Sequence, residues 1–211
     1  MTFIIIAWIV YLGLHSFLAG NGFKSWCRVR WPGLQPYYRL IYNVLAVVLL
    51  ALPLSASYSL ATAPFITWSG AAAWLMNLLG ASALLGFIWT LRYYDMSSFL
   101  GIARGDSSDR ATLTVSPFHR WIRHPWYFFG LVIMWTRDLS VGWFGTAIVI
   151  TLYLVIGSRR EERRLVEEFP RAYPFYQARV PALLPWRGRA LSFDAMQTVK
   201  KLAADDANMA R

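Results

Sequence analysis

The sequence predicts an all-α integral membrane bundle of about five transmembrane helices, continued by a cytosolic helical stalk and a C-terminal capping segment. Three observations predict it. Apolar residues make up 57% of the 211 positions and charged residues only 15%, against roughly 25% charged in a soluble domain. The deficit is uneven, because long charge-free runs alternate with charged segments, as a chain crossing a bilayer requires. The cations also follow a rule. Segments 21–39, 92–124 and 159–211 hold four, five and eleven of the 21 Lys and Arg, whereas 59–70 and 136–140 hold none and one. Basic segments stay inside, so the N-terminus is expected outside and the C-terminus in the cytoplasm, most simply of a bacterial inner membrane.

In chain order, Phe3–Ala19 is the first span; no basic stretch precedes it, which argues against a signal peptide. Residues 20–38 read as a Gly/Pro-punctuated basic loop. The second span is expected from about Arg39 to Tyr58 with a kink at Pro53, and the third from Ala71 to Leu91, rich in small residues that permit close helix packing. Residues 92–124 are polar, with Asp95, Arg104, Asp106, Asp109 and Arg110. Two short spans follow, Pro125 to about Trp135 and Trp143 to Gly157. Residues 1–186 form the membrane domain, and 187–211 a cytosolic tail with a weakly amphipathic helix around 192–204. The net charge of +10 reflects basic cytoplasmic segments beside lipid, not a nucleic-acid partner. The single cysteine, Cys27, excludes an intramolecular disulfide and a multi-cysteine metal site, and no metal is expected.

Polar residues that could carry chemistry gather at the two ends of the last hairpin. Arg123-His124-Pro125-Trp126-Tyr127 opens it. Proline suits the first helical position, so a helix starts at Pro125 with its N-terminus beside Arg123 and His124, a place for a carboxylate or phosphate. Arg159-Arg160-Glu161-Glu162 closes it. Leu165, Val166 and Phe169 keep helical register with Leu152 and Ile156, so the last span runs on as a stalk. Of two adjacent glutamates one must face inward, and Glu162 is the expected contact. A solvated, arginine-laced surface is the plainer alternative. Tyr173 and Tyr176 supply aromatic faces, and Val180-Pro181-Ala182-Leu183-Leu184-Pro185 reads as an extended apolar strip offering amides to a heteroaromatic ring. An anion site, a carboxylate, aromatic faces for a cation and an apolar slot suit S-adenosylmethionine, and a nucleotide nearly as well.

The series Arg-His-Pro-Trp-Tyr from Arg123, Glu-Glu-Arg-Arg-Leu from Glu161, then Phe169, Tyr173, Tyr176 and Val180-Pro181 resembles the isoprenylcysteine carboxyl methyltransferase family and its bacterial membrane relatives, over residues 115–186. His15-Ser16, Tyr38 to Asn43, Tyr94-Asp95 and Phe99-Leu100-Gly101 resemble the bacterial branch that includes methanethiol S-methyltransferase. Pro170 stands where the family usually has glycine. The resemblance implies that His124, Tyr127, Glu161 and Glu162 contact S-adenosylmethionine, that Tyr173 and Tyr176 line the site, and that Arg159 or Arg160 acts in catalysis. The cofactor set expected is Arg123, His124, Pro125, Tyr127, Glu161, Glu162, Tyr173, Tyr176 and Leu183, and the catalytic set is Arg160, His15 and Asp95.

The implied reaction is methyl transfer to a small or lipophilic thiol, with a prenylcysteine-type carboxylate or lipid amine as other acceptors. Two rivals stand beside it: an NADPH-dependent sterol-type reductase, whose three phosphates a glutamate pair would repel, and a non-catalytic protein of the same fold.

Overall fold

The computed structural model describes residues 2–59, 62–102, 113, 116–188 and 190–209. Arg104, Asp106, Asp109 and Arg110 of the polar segment lie outside them. The described residues are helical, with one isolated bridge and no strand among them. They form two compact units, Met1–Trp74 with Asp95–Ser108 and Arg137–Thr151, and Leu75–Tyr94 with Asp109–Thr136 and Leu152–Arg211.

The first unit is built on α1 (Thr2–Ala19) packed along α3 (Tyr38–Ser59). Ile4, Ala7, Trp8 and Ala56 form its core with Leu50, Val149 and Ile150. The buried Trp8 indole N–H donates to Ser57 Oγ (3.1 Å) and Thr146 Oγ1 (3.0 Å), whose hydroxyls bond each other at 2.8 Å. Each polar group in that apolar interior thus has a partner, as burial requires. Large side chains facing away from the core, such as Ile6, Ile9, Val47 and Val48, are exposed, which suits helices whose outer solvent is hydrocarbon.

The segment 20–38, expected as a loop, is α2 (Asn21–Arg30) followed by a short turn, Pro32–Tyr37. Its glycines mislead because Gly20 is the N-cap, while Phe23, Trp26 and Cys27 keep an i, i+3, i+4 stripe. Phe23 stacks on Trp26 and meets Phe17 of α1, and Arg28 and Arg30 sit in the last turn, where a helix favours cations.

The front-half motif residues bind one another. Asp95 caps the short α5 (Met96–Leu100): Oδ1 accepts from Ser97 and Ser98 N–H, and Ser98 Oγ donates to Oδ2 at 2.6 Å. Ser97 Oγ also donates to Oδ1 at 2.6 Å, and the Ser97 hydroxyl bond first, then that of Ser98, lowers the Asp95 carboxyl to about 2. Arg39 donates to Ser98 O (2.7 Å), and Asn43 to Phe99 O and Leu100 O. Gly101 ends α5 at φ 77°, where a Cβ would lie 2.5 Å from Leu40 N. Gly101→Ala is therefore expected to destabilise this unit twice over, by about 1–2 kcal/mol of left-handed strain and about 1–3 kcal/mol of overpacking against immovable backbone. Thermal unfolding in detergent reads the loss. An unchanged melting temperature would mean that α5 does not dock on α3 as described.

The weakly charged segments 62–69 and 136–140 also pair, through Leu139 N–H to Ile66 O (2.9 Å) and Trp68 N–H to Asp138 Oδ1 (3.0 Å).

The second unit contains most of α4 (Gly70–Thr90), then α6 (Pro125–Trp135), the later part of α7 (Val141–Glu168), α8 (Ala172–Gln177) and α9 (Phe193–Met209). Trp126 Nε1 donates to Thr90 Oγ1 at 2.7 Å, and Gly86 lets the Phe129 ring approach α4. The expected stalk is real. At 28 residues α7 is about 42 Å long, beyond the roughly 30 Å hydrocarbon core. Phe169, Tyr173, Tyr176, Val180, Met196 and Val199 build a core that joins the stalk's end, α8 and α9. Asp206 of α9 reaches back to cap α8, Oδ2 accepting from Arg171 and Ala172 N–H.

Among the described residues, four helical stretches are long and apolar enough to cross a membrane, Thr2–Ala19, Pro32–Ser59, Gly70–Tyr93 and Val141–Glu168. The fifth expected span, α6, has 11 residues, about 16 Å of helix, and reaches only about halfway by length.

Candidate functional site

Both ends of the last hairpin meet in the second unit. Pro125 opens α6 at its first position, with His124 as the cap residue. The stalk brings Glu161 and Glu162 to the same place, in the order the sequence suggests. Glu162 is buried and doubly held. Its Oε1 accepts from Arg123 Nε (2.8 Å), Arg123 Nη2 (2.7 Å) and His124 Nε2 (2.9 Å), and its Oε2 from Gln177 Nε2 (3.0 Å). Arg123, itself buried, also donates through Nη1 to the carbonyls of Gln177 (3.1 Å) and Val180. A buried guanidinium needs this density of acceptors.

Glu161 is freer. Its side chain keeps 45% of its exposure against 10% for Glu162. It accepts from Tyr127 Oη at 3.2 Å, and His124 Nδ1 lies 3.5 Å from its Oε2. The His124 ring stacks flat on Tyr127, 5.3 Å between centroids and 8° between planes. A carboxylate at each ring nitrogen favours the protonated form of His124. Burial pulls its pKa down, but the hydrogen bonds to Glu161 and Glu162 outweigh it and leave it above 6.5.

A raised histidine pKa stabilises the folded state fully below the unfolded value, and the gain is lost as pH climbs through the folded one. Stability is therefore expected to fall as pH rises above about 6.5. His124→Gln should flatten that slope in a pH series of melting temperatures. A slope that survives the substitution would assign it to another group.

The strip Val180–Pro185 departs from expectation. It is bent, not extended, and presents carbonyls where amides were expected. Pro181 O accepts from Arg123 N–H (2.9 Å) and Ala182 O from His124 N–H (3.0 Å). The physical reason is Pro181: proline has no N–H to offer, so this backbone satisfies the donors that precede α6. Leu183 is half-buried beside it. Tyr173 and Tyr176 lie inside the core, 1% and 2% exposed, edge to face. The Tyr176 hydroxyl donates to His119 O at 2.6 Å. Burial raises both phenol pKa values well above 10.

Three participants escaped the sequence reading. Gln177 serves both Glu162 and Arg123, yet a glutamine at a helix end carries no signal. Tyr94 was noticed only as part of a motif; its ring centroid lies 4.4 Å from that of Trp126, and burial, then the Glu161 charge, push it to about 12. His119, which the sequence does not single out, is buried. It accepts from Ser116 N–H at 2.9 Å, and burial, then the His124 charge, hold it near 4. Arg160 is exposed on the stalk. Arg159 instead lines an open cavity of about 460 Å³ with Glu162, Arg163, Val166, Glu167 and Gln177.

His15 and Asp95 belong to the first unit. His15 is half-buried, its Nε2 2.9 Å from Tyr42 Oη, and Asp95 is the exposed cap of α5. Among the described residues no group of three His, Cys, Asp or Glu could hold a metal ion.

The arrangement can hold a ligand with donors and an anionic group. Glu161 is a partly open acceptor kept ionised by neighbours, and Arg159 and Arg163 border the cavity into which Glu162 faces.

No family model matches the chain, and no solved structure matches it. Curated proteins do. A methanethiol S-methyltransferase of Mycobacterium tuberculosis is 27% identical over 192 residues, covering 85% of this chain and 76% of its own length. One of a Pseudomonas species is 29% identical, over 85% of this chain and 71% of its own. Methanethiol S-methyltransferase 2 of Bradyrhizobium diazoefficiens is 28% identical, over 81% and 68%. Over more than four-fifths of its length this chain is similar to these bacterial methanethiol S-methyltransferases.

Proposed function

We propose that the protein is an S-adenosylmethionine-dependent integral membrane methyltransferase acting on a small, methanethiol-like thiol. The observation that carries this reading is the joined cluster Arg123–His124–Glu162 with Glu161 and Tyr127 beside it, in a chain similar to methanethiol S-methyltransferases over more than four-fifths of its length. The donor set fits a zwitterionic nucleoside. A carboxylate suits an ammonium or ribose hydroxyls, and arginines at a cavity suit a carboxylate.

Bound there, S-adenosylmethionine would supply an electrophilic methyl group. We assign the direct carboxylate contact to Glu161, because Glu162 has its oxygens engaged by Arg123, His124 and Gln177. Tyr127 and His124 orient Glu161. Arg159 and Arg163 are placed to hold the cofactor's anionic end, with Arg160 one residue away on the outer face. The protein's contribution is then to fix the axis of attack and exclude water. A thiol reacts as its thiolate, so the acceptor needs a base. Of the catalytic candidates, His15 is engaged with Tyr42 and the Asp95 oxygens in capping α5, both within the first unit. Positive-inside charge supports a cytoplasmic C-terminus.

Calorimetry with purified protein in detergent is expected to show S-adenosylmethionine binding far more tightly than NADPH. Tighter NADPH binding would give the site to a reductase.

A further inference from the structure

We propose that the segment Leu184–Phe193 is an interfacial anchor by which the cap of the site docks on the anionic headgroup layer of the membrane. Its position is fixed at both ends. On one side Pro181 and Ala182 carbonyls accept from Arg123 and His124 N–H; on the other, Leu191 N–H donates to Arg120 O, and Arg120 Nε to Leu191 O, each at 2.7 Å. Residues 183–188 thus leave, and residue 190 returns to, the few residues that immediately precede Pro125, where α6 becomes continuously apolar. A residue advances the chain by at most about 3.6 Å, so Leu184 and Trp186 lie within about 7 and 15 Å of Ala182, whose carbonyl holds His124 just ahead of α6.

What this excursion displays is not an aqueous surface. Leu184 is 60% exposed, Trp186 72% and Phe193 70%. Arginines lie over its rings: Arg187 over Trp186 at 5.1 Å and Arg120 over Phe193 at 3.7 Å. Nearby, Arg179 covers Phe175 at 3.6 Å. An apolar body with a cationic rim, tryptophan included, is the composition that membrane interfaces select. The cations select a negatively charged leaflet. The chain just before this segment, Pro181 and Ala182, supplies carbonyls that hold Arg123 and His124, so docking of the segment steadies the site from outside.

The test uses the full chain in lipid nanodiscs, with Cys27→Ser removing the sole cysteine. A nitroxide is placed at Trp186→Cys, at Leu184→Cys in parallel, and at exposed Thr198→Cys of α9 as the aqueous reference. Collision with oxygen and with a water-soluble nickel complex reads depth. Labels at 184 and 186 are expected to favour oxygen several-fold over the reference, and to sink further when phosphatidylglycerol is added to phosphatidylcholine. Arg179→Ala with Arg187→Ala should abolish that lipid-dependent shift. Labels as open to nickel as the reference would overturn the anchor. A shift that persists without the two arginines would overturn its selectivity for anionic lipid. Shielding that survives in detergent and grows with protein concentration would assign the face to a second copy of the chain, and so overturn the proposal.

Discussion

Glu162→Ala is expected to destabilise the second unit by about 3–5 kcal/mol, the loss found when one partner of a buried ion pair is removed. The reason is what remains. Arg123 would keep the Gln177 and Val180 carbonyls and the Tyr173 hydroxyl as partners but lose the carboxylate that balances its charge. Gln177 would also lose its acceptor. Glu162→Gln keeps the shape and one acceptor oxygen, so a smaller loss is expected, about 1.5–3 kcal/mol. With the negative charge gone, Arg123 should drive the His124 pKa down, visible in its ring resonances. If both variants melt like the parent in detergent, the buried network does not exist as described.

Glu161→Gln should behave in the opposite way. Its carboxylate is nearly half exposed and rests on Tyr127 and His124, so the fold should tolerate the change with little loss. Binding should not. A charge-assisted hydrogen bond to the cofactor contributes roughly 1.5–3 kcal/mol, which is about a 10- to 150-fold rise in dissociation constant. Calorimetry beside a melting curve separates the neighbours: Glu161→Gln weakens binding at unchanged stability, and Glu162→Gln lowers stability. Equal behaviour would contradict the division of labour.

The contrast marks where the sequence was legible. Two adjacent glutamates on a helix stalk point about 100° apart, so one facing inward was readable from spacing alone. Which one faced inward was not. That depended on Arg123 and Gln177, brought in from α6's threshold and α8 by a fold that no periodicity records. The membrane spans were legible because the bilayer imposes a long apolar run on each of them, and α1, α3 and α4 fall where the sequence put them to within a residue or two. The stalk was legible from Leu152, Ile156, Leu165 and Phe169 in register. The α2 helix was hidden by Gly20 and Gly22, which read as loop residues when one is a cap. The backbone of 180–185 was misread because its role is set by donors at Arg123 and His124, which are far away in sequence.

The front-half motif shows a third case. Tyr38 to Asn43, Asp95 and Gly101 stand out in the sequence through a resemblance, with no structural role legible for them there. The structure supplies it, since Arg39 and Asn43 hold the backbone of the turn that Asp95 starts and Gly101 ends.

The central claim is that this chain moves a methyl group onto a small thiol. Its most direct test incubates the protein in lipid nanodiscs with methyl-labelled S-adenosylmethionine and methanethiol, with prenylcysteine and a lipid amine in parallel. The account predicts labelled dimethyl sulfide from methanethiol, little or no label in the other two acceptors, and a marked loss of product with Glu161→Gln. No transfer to methanethiol by protein that binds the donor, or preferred labelling of prenylcysteine or the amine, would contradict it.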